Sequence, residues 1–315
     1  MARNGHLLPR LAHPAGDTIK AVPLRVAAIS FLNPAPLLYN FEHEPAAAEL
    51  RTRYDVHYTL PSRCAAELHT GAADLGLIPI AELTPDLCIV PGCTIASLHE
   101  VRSILLLVRT PAGQGRDEAL RGLTHIAADT ASRSSAAYVR VLLGRFFNAR
   151  PTLEEHPADP LRMLQNHQAA LLIGDPALLA RERKAEIDQA VATASGETLL
   201  WLDVAQLWRE HTGLPWVAAV WAVHPGVLGG SQPTPRQLIA DLNASREAGL
   251  AHVEALVTEW TPRVALPPAT IRTYLTENIY YHLDEPCLET VRVFRGLAAT
   301  LGILPDLPEL VLLKD

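Results

Sequence analysis

Apolar runs of strand length alternate with segments whose apolar positions recur at helical spacing. Leu24–Ile29 is a short apolar run that ends at Ser30 and enters a loop through Asn33, Pro34 and Pro36. Residues 56–60 form the next run, and Pro61-Ser62 opens a helix, with Ser62 a natural N-cap and Gly71 a natural stop. Residues 74–78 read as a buried strand closed by Pro79, and 103–108 as a fourth strand. Thr110-Pro111, Gly113 and Gly115 then punctuate the chain. Beyond them the pattern starts again. Residues 125–128 read as a strand, and a helix follows with Val139, Leu142, Leu143 and Phe146 on one face. Residues 169–173 and 216–223 are further apolar strands, and the remainder reads as helix over 239–260, 269–281 and 285–301.

Strand–helix alternation of this kind predicts an α/β fold with mainly parallel sheets. The repeated halves and the late helical return predict two lobes with a cleft between them. A chain of 315 residues, 49% hydrophobic and 19% charged, has room for two such units and too little charge for a disordered or coiled-coil protein. Its net charge of −7, from 27 basic and 34 acidic residues, lacks the basic balance of a nucleic-acid binder. No stretch reaches the ~18 apolar residues of a membrane span, and residues 1–20 hold no apolar run of signal-peptide length. Residues 1–22 are therefore expected to be a flexible tail, and the protein to be cytoplasmic. Cys64, Cys88, Cys93 and Cys287 make no CxxC pair and no zinc pattern. They read as reduced, buried thiols, with a Cys88–Cys93 disulfide as the alternative.

Candidate chemistry gathers in loops at the C-terminal ends of predicted strands, where open α/β sheets place their ligands. The sharpest is Thr130-Ala-Ser132-Arg133-Ser134-Ser135, four hydroxyls and an Arg at a helix start. Free N–H groups and hydroxyls there suit a carboxylate or phosphate, and a heavily capped helix is the alternative. Asn33 offers a donor and an acceptor to a ligand hydroxyl, or serves as an Asx-turn residue. Ser103 and Arg102, at a strand entrance, could reach the cleft. Gly174-Asp175 follows the 169–173 strand, and Asp175 either caps the next helix or faces the ligand. No GxSxG, HExxH, GxGxxG or Walker loop is present, and none of the thirteen histidines is singled out by spacing. No metal or cofactor is implied.

In order along the chain, Ser30-Phe-Leu-Asn33, Leu60-Pro-Ser62, Leu77-Ile-Pro79, Val101-Arg-Ser103, Asp129-Thr130 with Ser132-Arg-Ser-Ser135, Ile173-Gly-Asp-Pro176 and Thr212-Gly-Leu-Pro215 resemble the chorismate dehydratase family of the futalosine route to menaquinone. Ile80 after Pro79, and Ser135 after Ser134, depart from the family pattern. The resemblance implies a two-lobed fold similar to type II periplasmic binding proteins, each lobe a mostly parallel sheet flanked by helices. Lobe 1 would span 23–110 and 222–315, and lobe 2 would be the inserted 111–221. It implies a cofactor-free hydro-lyase for the small dianion chorismate, monomeric or homodimeric. Asn33 and Ser103 would be catalytic. Ser30, Ser62, Pro79, Arg102, Thr130, Ser132, Arg133, Ser134, Ser135, Gly174 and Asp175 would bind substrate. Two other readings share the fold: a solute-binding protein for a small anion, and 1,4-dihydroxy-6-naphthoate synthase.

Overall fold

The computed structural model describes residues 22–307 and 309–314, so the expected tail lies outside the described residues except for Val22. Strands follow the chain as β1 (Leu24–Ile29), β2 (Tyr54–Thr59), β3 (Leu75–Pro79), β4 (Cys88–Ser97), β5 (Ile104–Thr110) and β6 (His125–Asp129). They continue as β7 (Thr152–His156), β8 (Ala169–Ile173), β9 (Thr198–Asp203), β10 (Trp216–Val223) and β11 (Tyr280–Leu283). One sheet has the order β11-β4-β10-β3-β1-β2 and the other β7-β6-β8-β5-β9. The two-lobed α/β expectation holds.

Within each sheet the parallel part is a three-stranded unit, β2-β1-β3 in one and β7-β6-β8 in the other. The remaining pairings, of β10 with β3 and β4, β11 with β4, and β5 with β8 and β9, are antiparallel. The sheets are therefore mixed instead of mostly parallel. β5 follows β4 of the first sheet yet pairs in the second, and β10 follows β9 of the second yet pairs in the first. By sheet membership the crossings fall between Ser97 and Ile104 and between Asp203 and Trp216, ahead of residues 110 and 221.

Four of these strands had no clear sequence signal. β4 carries Pro91 and Gly92, which interrupt any strand pattern. The ladder absorbs them by a register shift, Ala222 facing Ile89 and Val220 facing Thr94. β7 and β9 are sheet edges with half-exposed residues, and β11 is an edge inside what reads as a helix. The helix expected over 239–260 is two, Pro235–Ala251 and Val253–Val264, with the break at His252. Pro61–His69 starts with Leu60 at the N-cap and Pro61 at the first helical position, so Ser62 does not cap it. All four cysteines are buried free thiols.

An aromatic joint ties the lobes together. Tyr138, on the Ser134–Phe146 helix of the second lobe, stacks on Phe294 of the Glu285–Thr300 helix at 4.1 Å between centroids and meets Trp208 edge-on at 4.9 Å. All three are completely buried, and such pairs add about 0.5–1.5 kcal/mol each beyond burial.

The loop after β1 is held by close backbone packing. Gly249, on the Pro235–Ala251 helix, lies so near the Pro36 backbone that an added Cβ would stand 2.2 Å from the Pro36 carbonyl oxygen. That approach positions the segment that follows Asn33. Gly249→Ala is expected to lower stability by about 2 kcal/mol or more, measured as the denaturant midpoint; an unchanged midpoint contradicts the contact.

Candidate functional site

Backbone geometry at the first crossing sets the site. Arg102 takes a left-handed φ of 63°, which a non-glycine residue holds only when its surroundings compensate. The compensation comes from Asp203, whose carboxylate accepts the N–H of Arg102 at 2.7 Å and of Val101 at 3.2 Å. The same carboxylate caps the Val204–Thr212 helix through Ala205 and Gln206 N–H. Burial pushes the Asp203 carboxyl up, and the backbone N–H groups and Arg181 pull it back down.

Ser103 follows directly and is fully buried. Its carbonyl accepts the Gly174 N–H at 2.8 Å, and its Oγ accepts the Tyr274 hydroxyl at 2.7 Å. Tyr274 is buried in a π-helical turn, Tyr274–Asn278, where the sequence reads as plain helix. Such turns recur at functional sites. The Asn33 carboxamide is the second side chain against the Tyr274 hydroxyl. Asn33 Oδ1 is buried and has no partner among the described residues, so it makes no Asx turn. A buried carbonyl oxygen left unpaired costs about 1–3 kcal/mol, which a ligand donor would recover.

Asp175 closes this junction from the other lobe. The Gly174–Glu182 helix starts two residues earlier than expected with Ile173 at the N-cap, so Asp175 is no cap. Instead Asp175 Oδ1 accepts the Leu32 N–H at 3.0 Å, across the lobes. Gly174 has φ 62°, and a Cβ there would meet the Phe31 ring at 2.6 Å, so only glycine lets the two loops approach. Burial pushes the Asp175 carboxyl up to about 6, against the pull of the Leu32 N–H.

The 130–135 loop joins the two lobes at a second place. Ser134 Oγ donates to the Ala218 carbonyl at 3.0 Å and accepts the Ala81 N–H at 3.2 Å, which ties the helix start to β10 and to the turn after Pro79. Ser132 Oγ accepts the Ala136 N–H, a capping role. The N–H groups of Ser134 and Ser135 find no acceptor among the described residues, and Thr130 is exposed. An anion-ready helix start therefore coexists with capping. Arg133 is already paired with Glu155 at 2.9 Å and lies 3.8 Å from Glu82. Arg102 makes no side-chain bond among the described residues, and its Nε is buried without a partner.

Asn33, Ser103, Gly174 and Asp175 thus meet at one interlobe junction, and Ser132 to Ser135 with Pro79 frame a second contact. Ser30 lines a cavity of about 320 Å³ with Phe31, Tyr58, Asp175, Trp260 and Arg263. Neither Asn33 nor Ser103 lines that cavity. Ser62 makes no side-chain hydrogen bond among the described residues and joins neither cluster. Tyr274 and Asp203 carried no sequence signal. Among the described residues the one group with metal-ligand spacing, Glu42, His43 and Glu259, is already an ion-pair and hydrogen-bond network with Tyr58 and Arg263.

The Asp175 placement has a pH consequence. A carboxyl whose folded value is raised contributes stability below its unfolded value near 3.9, lost as pH climbs through about 6. Asp175→Asn keeps an acceptor for Leu32 N–H and removes the titration. Wild-type stability should therefore fall relative to Asp175→Asn between pH 4 and 7 by on the order of 2 kcal/mol. Denaturant midpoints at each pH check this, and parallel profiles contradict it.

Comparison with known proteins places this geometry. The chain is 28% identical over 257 residues to the chorismate dehydratase of Thermus thermophilus, covering 79% of this chain and 88% of that one. Its fold is similar to that of a solved Archaeoglobus fulgidus protein, with TM-score 0.65, 14% identity and coverage of 90% of this chain and 98% of the other. It is also similar to the periplasmic aliphatic sulphonate binding protein SsuA from Escherichia coli, with TM-score 0.61, 12% identity and coverage of 93% and 94%. These structures support the periplasmic-binding-protein-like fold alone. The model of the menaquinone biosynthesis family matches residues 24–300, and the chain belongs to that family.

Proposed function

We propose that the protein is a cytoplasmic chorismate dehydratase that converts chorismate to 3-[(1-carboxyvinyl)oxy]benzoate on the futalosine route to menaquinone. The observation that carries this reading is the junction around Tyr274, where Ser103 accepts the phenol hydrogen and the nearby Asn33 keeps a buried amide oxygen without a partner among the described residues. Family membership and the name of the Thermus thermophilus relative support it.

The chemistry needs little from the protein beyond orientation. A proton leaves C3, the C4–O bond breaks with its electron pair going to oxygen, and proton and hydroxide depart as water. The ring becomes aromatic, which supplies the driving force. H3 and the leaving hydroxyl share a face, so we write a stepwise elimination through a C3 carbanion. The substrate's enolpyruvyl carboxylate, close to C3, takes the proton. Asn33 Oδ1 accepts the C4 hydroxyl hydrogen, and Ser103 donates to its oxygen as charge grows there. The other carboxylate sits on the free N–H groups of Ser134 and Ser135. Arg102 is the cation for this dianion, since Arg133 is neutralised by Glu155. Holding the carboxylate over C3 in a closed cleft makes the proton transfer intramolecular, a large rate factor in itself.

Purified protein mixed with chorismate should yield a product lighter by one water with benzoate-type absorbance. Binding without turnover would favour a solute-binding protein, and no interaction would leave the sister synthase. Asn33→Ala should lower turnover by about 100-fold or more while shifting stability little. Unchanged turnover would remove Asn33 from the mechanism.

A further inference from the structure

Tyr274 donates its hydroxyl hydrogen to Ser103, 171 residues away in sequence, and lies near the Asn33 carboxamide. It is a phenol against an aliphatic hydroxyl. The phenol is by far the stronger acid, so in the 2.7 Å Tyr274–Ser103 contact the phenol donates and the serine oxygen accepts. Ser103 then keeps its own hydrogen for another acceptor, and no protein acceptor for it exists among the described residues. A hydroxyl that already accepts a hydrogen bond is polarised into a better donor.

The Asn33 carboxamide is the other polar group near the phenol, and its Oδ1 is buried with no partner among the described residues.

We infer that Tyr274 is a positioning residue for the dehydration, an inference that rests on the proposed function. By donating to Ser103 Oγ, the Tyr274 phenol leaves the serine its own hydrogen to give to the departing hydroxyl. Tyr274 itself does not exchange a proton. Burial pushes its phenol far above the ordinary range, with the nearby Asp175 carboxyl adding to this and the Ser103 and Asn33 contacts opposing it. It therefore stays a neutral donor throughout the working pH range.

The test is a comparison of Tyr274→Phe, Ser103→Ala, the double variant and Tyr281→Phe, each with kcat and KM for chorismate and a thermal midpoint. Tyr281 is equally buried, and its hydroxyl has no partner among the described residues, so it controls for loss of a buried hydroxyl as such. Tyr274→Phe is expected to lower kcat by about 10- to 100-fold with KM changed less than about threefold. The double variant should be no slower than Ser103→Ala, because the phenol acts through the serine, and Tyr281→Phe should match wild type. Three results would overturn the inference: kcat of Tyr274→Phe within twofold of wild type, multiplying effects in the double variant, or an equal loss in Tyr281→Phe. A wild-type protein that leaves chorismate unchanged overturns the dehydratase reading itself and this inference with it. That result is separate from an active enzyme indifferent to Tyr274.

Discussion

The Asp203 carboxylate holds the molecule's two crossings in register. It accepts two N–H groups from the outgoing segment, Val101 and Arg102, and two from the returning helix, Ala205 and Gln206. A buried carboxylate is costly unless its lone pairs are filled, and here four backbone donors fill them. The donors gain as much, since the left-handed turn at Arg102 and the start of the helix would otherwise bury unpaired N–H groups. Everything at the interlobe junction follows from that turn. It places Ser103 at the entrance of β5, where its carbonyl takes the Gly174 N–H and its hydroxyl meets Tyr274.

Two contacts then draw the lobes together on either side of the cleft. Asp175 reaches Leu32 from the second lobe, and Ser134 reaches Ala81 and Ala218. Each alone is a hydrogen bond of modest net value, about 1 kcal/mol. Their effect is positional, since each fixes a loop that carries a candidate ligand group. A protein of net charge −7 can hold a dianion in this way. Two N–H groups at a helix start and the Arg102 guanidinium, all without partners among the described residues, act over a few ångströms, where the overall field matters little.

The alternation of strands and helices was legible because the central strands, such as β3 and β8, are buried on both faces and read as unbroken apolar runs. The loops at their ends were legible for the same reason, since they follow directly from the strands. Edge strands β7, β9 and β11 are half-exposed and lack that signature. Asp175 looked like a helix cap because Pro176 follows it, and only the folded chain shows its partner 143 residues away. Tyr274 sits in a segment with ordinary helical spacing, and its pairing with Ser103 spans most of the chain. Long-range hydrogen bonds leave no local pattern, so the loops that carry Asn33 and Ser103 were legible and the Tyr274 contact to Ser103 was not.

The most direct test of this account is a crystal structure of Asn33→Ala soaked with chorismate. The account places the C4 oxygen within hydrogen-bond distance of Ser103 Oγ and a substrate carboxylate on the N–H groups of Ser134 and Ser135. Chorismate seated instead in the cavity beside Trp260 and Arg263, with Ser103 untouched, would contradict it.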